Sequence, residues 1–131
     1  MYQTITDVFD EIYNAVTAEF PTADLATHYV NQPASFPHVQ LWDESNTTST
    51  RDMNLTGDEC FSNVVMHFEV FDNMLDGVGI DNVKKIISII DPIMRHKGYR
   101  RTYYAPVHNF QDATIYREIA RYSGKQPNNT L

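Results

Sequence analysis

The sequence predicts an α+β fold of two main helices and a sheet of about four to five strands. Three observations predict it. Apolar residues recur at helical spacing between Ile5 and Phe20, and again between Val83 and Met94, while Phe61 to Phe71 alternates as a strand does. A length of 131 residues gives a single domain over 1–131 with one core.

In the first helix Ile5, Val8, Phe9, Ile12, Tyr13, Val16 and Phe20 share a face, Thr4 or Thr6 can cap its start, and Pro21 marks its end. A short strand fits Leu25 to Val30, closed by Asn31-Gln32-Pro33, and a second fits His38 to Trp42 around Val39 and Leu41. Residues 43–59, DESNTTSTRDMNLTGDE, carry almost no large apolar group and predict a long polar loop, either a partner-binding segment or a surface loop without a role.

The strand Phe61 to Phe71 sets Val64, Met66, Phe68 and Val70 on one face. Asn63, Val65, His67, Glu69 and Phe71 form a mixed face that suits a partner or a covering loop. After a crossing from Asp72 to Gly79, Asp81 is the predicted cap of a helix whose apolar arc is Val83, Ile86, Ile87, Ile89, Ile90, Ile93 and Met94. Pro92 inside it predicts a kink or restart, and Lys97-Gly98 ends it. Lys97 to Tyr122 then reads as two strands folded back on the turn region Pro106 to Asp112. Its second run, Ala113 to Tyr122, also fits a helix through Ile115 and Ile119, but β-branched and aromatic content favours a strand. Ser123 to Leu131 reads as a loose tail.

Hydrophobic residues at 42% and charged ones at 21% are those of an ordinary globular protein. No apolar run approaches the roughly 18 residues of a membrane span, and the N-terminus carries acids where a signal peptide carries bases, so the expectation is a cytoplasmic chain with no membrane partner. Cys60 cannot pair within the chain and reads as a small buried apolar group. The net charge of −7 hides a division: 14 acids and 1 base up to Val83 give −13, and 9 bases and 3 acids from Lys84 give +6. Either the fold brings the halves together, or an acidic face of one copy meets a basic face of the next, closing a ring or extending a filament.

No catalytic or cofactor pattern stands out. The five histidines, His28, His38, His67, His96 and His108, lack the spacing of a metal site. Asp72 to Gly77 fails as a calcium loop because Met74 holds a ligand position, and Gly77-Val78-Gly79 lacks the third glycine of a dinucleotide site. Acids beside Cys60 raise rather than lower its thiol pKa, which disfavours a nucleophile. Arg100-Arg101 beside Tyr103-Tyr104 suits either a nucleic-acid surface or an exposed strand, and a pI near 5.0 weighs against tight DNA binding. The mixed face near His67 and Glu69 leaves a small ligand-binding domain or enzyme open.

The Ile-rich helix ending in His96-Lys97-Gly98-Tyr99-Arg100-Arg101, followed by Ala105-Pro106-Val107 and Asn109, Asp112 to Arg117, and Ala120-Arg121-Tyr122, resembles the C-terminal half of bacteriophage tail terminator proteins, also called tail completion or head-tail joining proteins. The likeness covers Val83 to Tyr122, with Phe61 to Phe71 more loosely. It implies an antiparallel sheet with the helices packed on one face. It also implies a homohexameric ring, in the virion's tail or neck and assembled in the host cytoplasm, that stops tube growth and joins tail to head. A capsid-side connector is the alternative within assembly. The implied partners are further copies of the chain, the tail tube protein and a head-completion or neck protein, with DNA passing through unbound and no cofactor. Six copies at −7 carry on the order of −40 charges, which repel DNA from the bore. On this likeness the candidate subunit contacts are Arg100, Arg101, Asp112, Arg117 and Arg121, and the candidate partner loop is Thr47, Thr48, Ser49, Thr50 and Arg51.

Overall fold

The computed structural model describes residues 4–29, 35–48, 61–73, 78–107 and 114–127. In chain order these form α1 (Thr4–Glu19), β1 (Asp24–Ala26), β2 (His38–Thr48), β3 (Phe61–Asn73), α2 (Gly79–His96), β4 (Arg100–Val107) and β5 (Ile115–Pro127). The strands make one five-stranded sheet in the order β1-β2-β3-β5-β4. The expected α+β fold is present, with one departure from a purely antiparallel sheet: β1 runs parallel to β2, and the other pairings are antiparallel.

Both helices pack on one face. Val8, Ile12 and Val16 of α1 and Val83, Ile86, Ile90 and Met94 of α2 are fully buried against Val39, Leu41, Val64, Met66, Phe68, Val70, Ala120 and Tyr122. Burying each such aliphatic side chain contributes about 1.5–3 kcal/mol relative to leaving it in water. α1 lies over β2, while α2 covers β3 and β5 and reaches β4.

The ends of α2 differ from expectation in one respect and match it in another. The helix starts at Gly79, so Asp81 is not its cap; Asp81 sits in the first turn, where its charge complements the helix dipole. Pro92 neither ends nor restarts the helix, which continues to His96. Ser88 and Pro92 both lie on the exposed side, so the Ser88 carbonyl that the missing Pro92 N–H would have bonded can face water. At the other end Lys97, Gly98 and Tyr99 donate to the carbonyls of Ile93, Arg95 and Met94. Gly98 takes φ +90, a conformation that favours glycine, as the Lys97-Gly98 pair predicts.

Several strands run further than the apolar pattern shows. β2 continues through the first six residues of the expected polar loop, Asp43 to Thr48, with a register shift between Asp43 and Ser45. β5 takes in the expected loose tail as far as Pro127, paired with Phe61. β1 is shorter than expected, ending at Ala26. The run from Ala113, ambiguous in sequence, is a strand from Ile115 and pairs with both β3 and β4. Cys60, the segments 49–59 and 108–113 and the last four residues lie outside the described part.

Candidate functional site

β4 is an edge strand of the sheet. Its residues Arg100, Arg101, Thr102, Tyr103 and Tyr104 are all exposed. A register shift between Arg101 and Tyr103 leaves Thr102 as a bulge, its hydroxyl donating to the Arg121 carbonyl at 3.4 Å. The two arginines point to opposite faces, as adjacent strand residues must. Arg100 is opposite Ser123, on the face away from the helices. Arg101 is opposite Tyr122, on the helix face, with its guanidinium 4.8 Å from the Tyr104 ring centre and 3.8 Å from Asp91.

The other candidate contacts divide. Arg117 and Arg121 lie on the face away from the helices and find acids of their own chain: Arg117 is 3.5 Å from Glu69, and Arg121 is 3.4 Å from Glu44. Their guanidiniums also lie over the rings of Phe71 and Tyr103. Together with Lys97–Glu11 at 3.5 Å, these pairs bring the acidic and basic halves of the sequence into contact within one molecule. Thr47 is exposed near the end of β2, and Thr48 is its last residue. Ser49, Thr50, Arg51 and Asp112 fall outside the described residues.

The sequence reading missed a continuous polar chain on the face away from the helices. Asp24 Oδ2 lies 3.0 Å from His38 Nδ1, and His38 Nε2 lies 3.2 Å from Gln40 Oε1. The Gln40 amide donates to Glu69 Oε2 at 2.7 Å, and His67 Nε2 lies 3.0 Å from Glu69 Oε1. Because the Gln40 amide nitrogen is turned to Glu69, both ring nitrogens of His38 face acceptor oxygens. Trp42 stacks on His67 at 4.6 Å, and Phe71 packs on His38 at 4.8 Å. Burial pushes the Glu69 carboxyl up, but hydrogen bonds from His67 and Gln40 and the charge of Arg117 outweigh it and hold the group below its ordinary range. His67 and Glu69 are therefore buried and bonded to each other. Among the described residues no group of three or more His, Cys, Asp or Glu is arranged to hold a metal ion. The signal for the chain was the polar face of two neighbouring strands, His38-Gln40 and His67-Glu69. Linking them required the register that sets Gln40 opposite Glu69.

A second polar centre fastens the β4–β5 hairpin to α2. Glu118, fully buried, accepts from the Tyr104 and Tyr116 hydroxyls, each at 2.5 Å, and from Lys84 Nζ at 3.0 Å. Burial raises the Glu118 carboxyl, but these donors more than offset it and keep it below its usual value. Burial and the bond to Glu118 push the Tyr116 phenol up to about 12. Nearby, Tyr122 donates to Asp91 at 2.9 Å, and Arg95 pairs with the same carboxylate at 2.9 Å. The aromatic residues of this hairpin thus serve two ends: Tyr116 and Tyr122 anchor it inward, Tyr103 remains 44% exposed, and Tyr104 does both, bonded to Glu118 while 37% exposed.

A scan of protein-family models finds no match to the chain, and a search of curated proteins finds no significant one.

Proposed function

We propose that this chain is a structural assembly protein of a bacteriophage tail. Copies close into a ring on the head-proximal end of the tail tube, end its growth and offer the head or neck a docking surface. The observation that carries this reading is the β4 edge, five consecutive exposed residues of which two are arginine and two tyrosine. Tyrosine and arginine are the side chains most used to anchor protein contacts. The Thr102 bulge and Pro106 blunt the strand as a template for ladder extension, so a neighbour docks on its side chains. The Glu118 and Asp91 clusters brace the strand from behind, which lowers the ordering entropy lost on docking. The likeness of Val83 to Tyr122 to tail terminators supplies the context of tube, neck and ring.

The test is to add the purified chain to polymerising tail tube protein and image the products by electron microscopy. Rings capping one end of tubes of restricted length are expected. Tubes of unrestricted length with bare ends would overturn the proposal.

A further inference from the structure

The two ends of the sheet carry opposite charge. At one end, β4 is the edge strand and α2 lies beside it. There Arg95 and Arg101 converge on Asp91, at 2.9 and 3.8 Å, and Arg100 adds an exposed guanidinium. Arg100 makes no ion pair with any described residue. Three strand spacings away, roughly 14 Å across the sheet, α1 packs over β2 and exposes Asp10 and Glu19, and β2 exposes Asp43. Lys97 reaches α1, where it takes Glu11, and leaves those three acids unpaired among the described residues. The two ends also carry exposed aromatics, Tyr103 and Tyr104 on β4 and Tyr13 on α1.

We infer that these ends meet: the β4 edge of one copy docks on the acidic α1 and β2 end of the next. The inference rests on the ring proposed above and names its contact. The occupant is a second copy because the chain carries, at its other end, the charge that the arginines lack. Two different patches joined in this way make a heterologous contact, the kind that closes into rings. A contact of β4 with β4 would instead set arginines against arginines. A nucleic-acid partner is disfavoured by the net charge of −7.

Charge reversal separates these cases. Arg100→Glu with Arg101→Glu reverses the basic end, and Asp10→Lys with Glu19→Lys reverses the acidic end. All four side chains are exposed, and circular dichroism with thermal melting checks that each variant keeps the fold. In sedimentation velocity the wild type is expected to assemble, and to do so less strongly as salt rises from 0.1 to 1 M and the screening length falls from about 10 to about 3 Å. Each variant alone is expected to lose more than about tenfold in association, since like charges then face each other. An equimolar mixture of the two is expected to assemble again, because every contact in it pairs opposite signs. Variants that assemble alone as the wild type does, or a mixture that stays monomeric beside an assembling wild type, would overturn this contact and leave the ring itself standing. A wild type that never associates would overturn both, whereas rings that fail to cap tubes would remove only the proposed function.

Discussion

Replacing Glu118 with glutamine tests whether the hairpin is fastened to α2 by charge. The carboxylate is fully buried and accepts from Tyr104, Tyr116 and Lys84. The amide side chain of Glu118→Gln would keep the shape and could still bond both hydroxyls by turning its oxygen to Tyr116 and its nitrogen to Tyr104. What it loses is the charge. A hydrogen bond to a charged group contributes about 1.5–3 kcal/mol and a neutral one about 0.5–1.5, so each tyrosine bond weakens by about 1 kcal/mol. Lys84 is 55% exposed, and solvent screening limits its share to at most about 1 kcal/mol. The sum is about 2–3 kcal/mol, or a fall in Tm of about 8–12 °C for a chain of this length. The direction with pH follows from the lowered Glu118 pKa. Its stabilisation is complete above the ordinary value of 4.5 and is lost as pH falls through the lower value of the folded state. Urea melts of both proteins from pH 7 downward should therefore show a gap that narrows below about pH 4.5. A gap under about 0.5 kcal/mol at pH 7, the range of an ordinary surface substitution, or a gap that ignores acid, would refute the reasoning.

Pro92→Ala should raise stability by about 1–3 kcal/mol in urea melts, since it restores a helical N–H to an exposed position; no gain would mean that the helix is already adapted to the proline. Gly124→Ala should cost about 1–3 kcal/mol, because its Cβ would stand 2.8 Å from the Gly98 carbonyl oxygen and 3.1 Å from the Tyr99 ring. Gly98→Ala, at φ +90, should cost about 1–2 kcal/mol through backbone strain. A neutral result at Gly124 would contradict the close packing of the α2–β4 turn on β5, and a neutral result at Gly98 would contradict its left-handed backbone. The raised Tyr116 phenol stabilises the fold below its ordinary value of 10.0, and that contribution disappears as pH rises through about 12. Tyr116→Phe should flatten the alkaline limb of the stability profile, and an unchanged limb would contradict the assignment.

The apolar periodicity of α1, α2 and β3 placed these elements well, because each buries one stripe or one face and the pattern is local. The ends of β2 and β5 were not legible. Asp43 to Thr48 and Ser123 to Pro127 are held by pairing with β3, and polar residues there carry no alternation to betray it. The parallel β1 was hidden because three residues carry too little pattern to fix a direction. Pro92 misled for a different reason: local chemistry forecasts a break, whereas the buried Ile90 and Met94 on either side hold the helix together. Among the candidate contacts, the exposure of Arg100 and Arg101 was readable from an aromatic and basic strand beside a turn. The internal pairing of Arg117 and Arg121 was not, since Glu69 and Glu44 lie more than forty residues away in sequence and meet them only through the strand order β2-β3-β5.

The most direct test of the central claim is native mass spectrometry of the unmodified chain at rising concentration. A single closed assembly of fixed copy number, giving way to monomer as salt is raised, is the expected spectrum. A 15.1 kDa monomer at every concentration and salt would contradict the account.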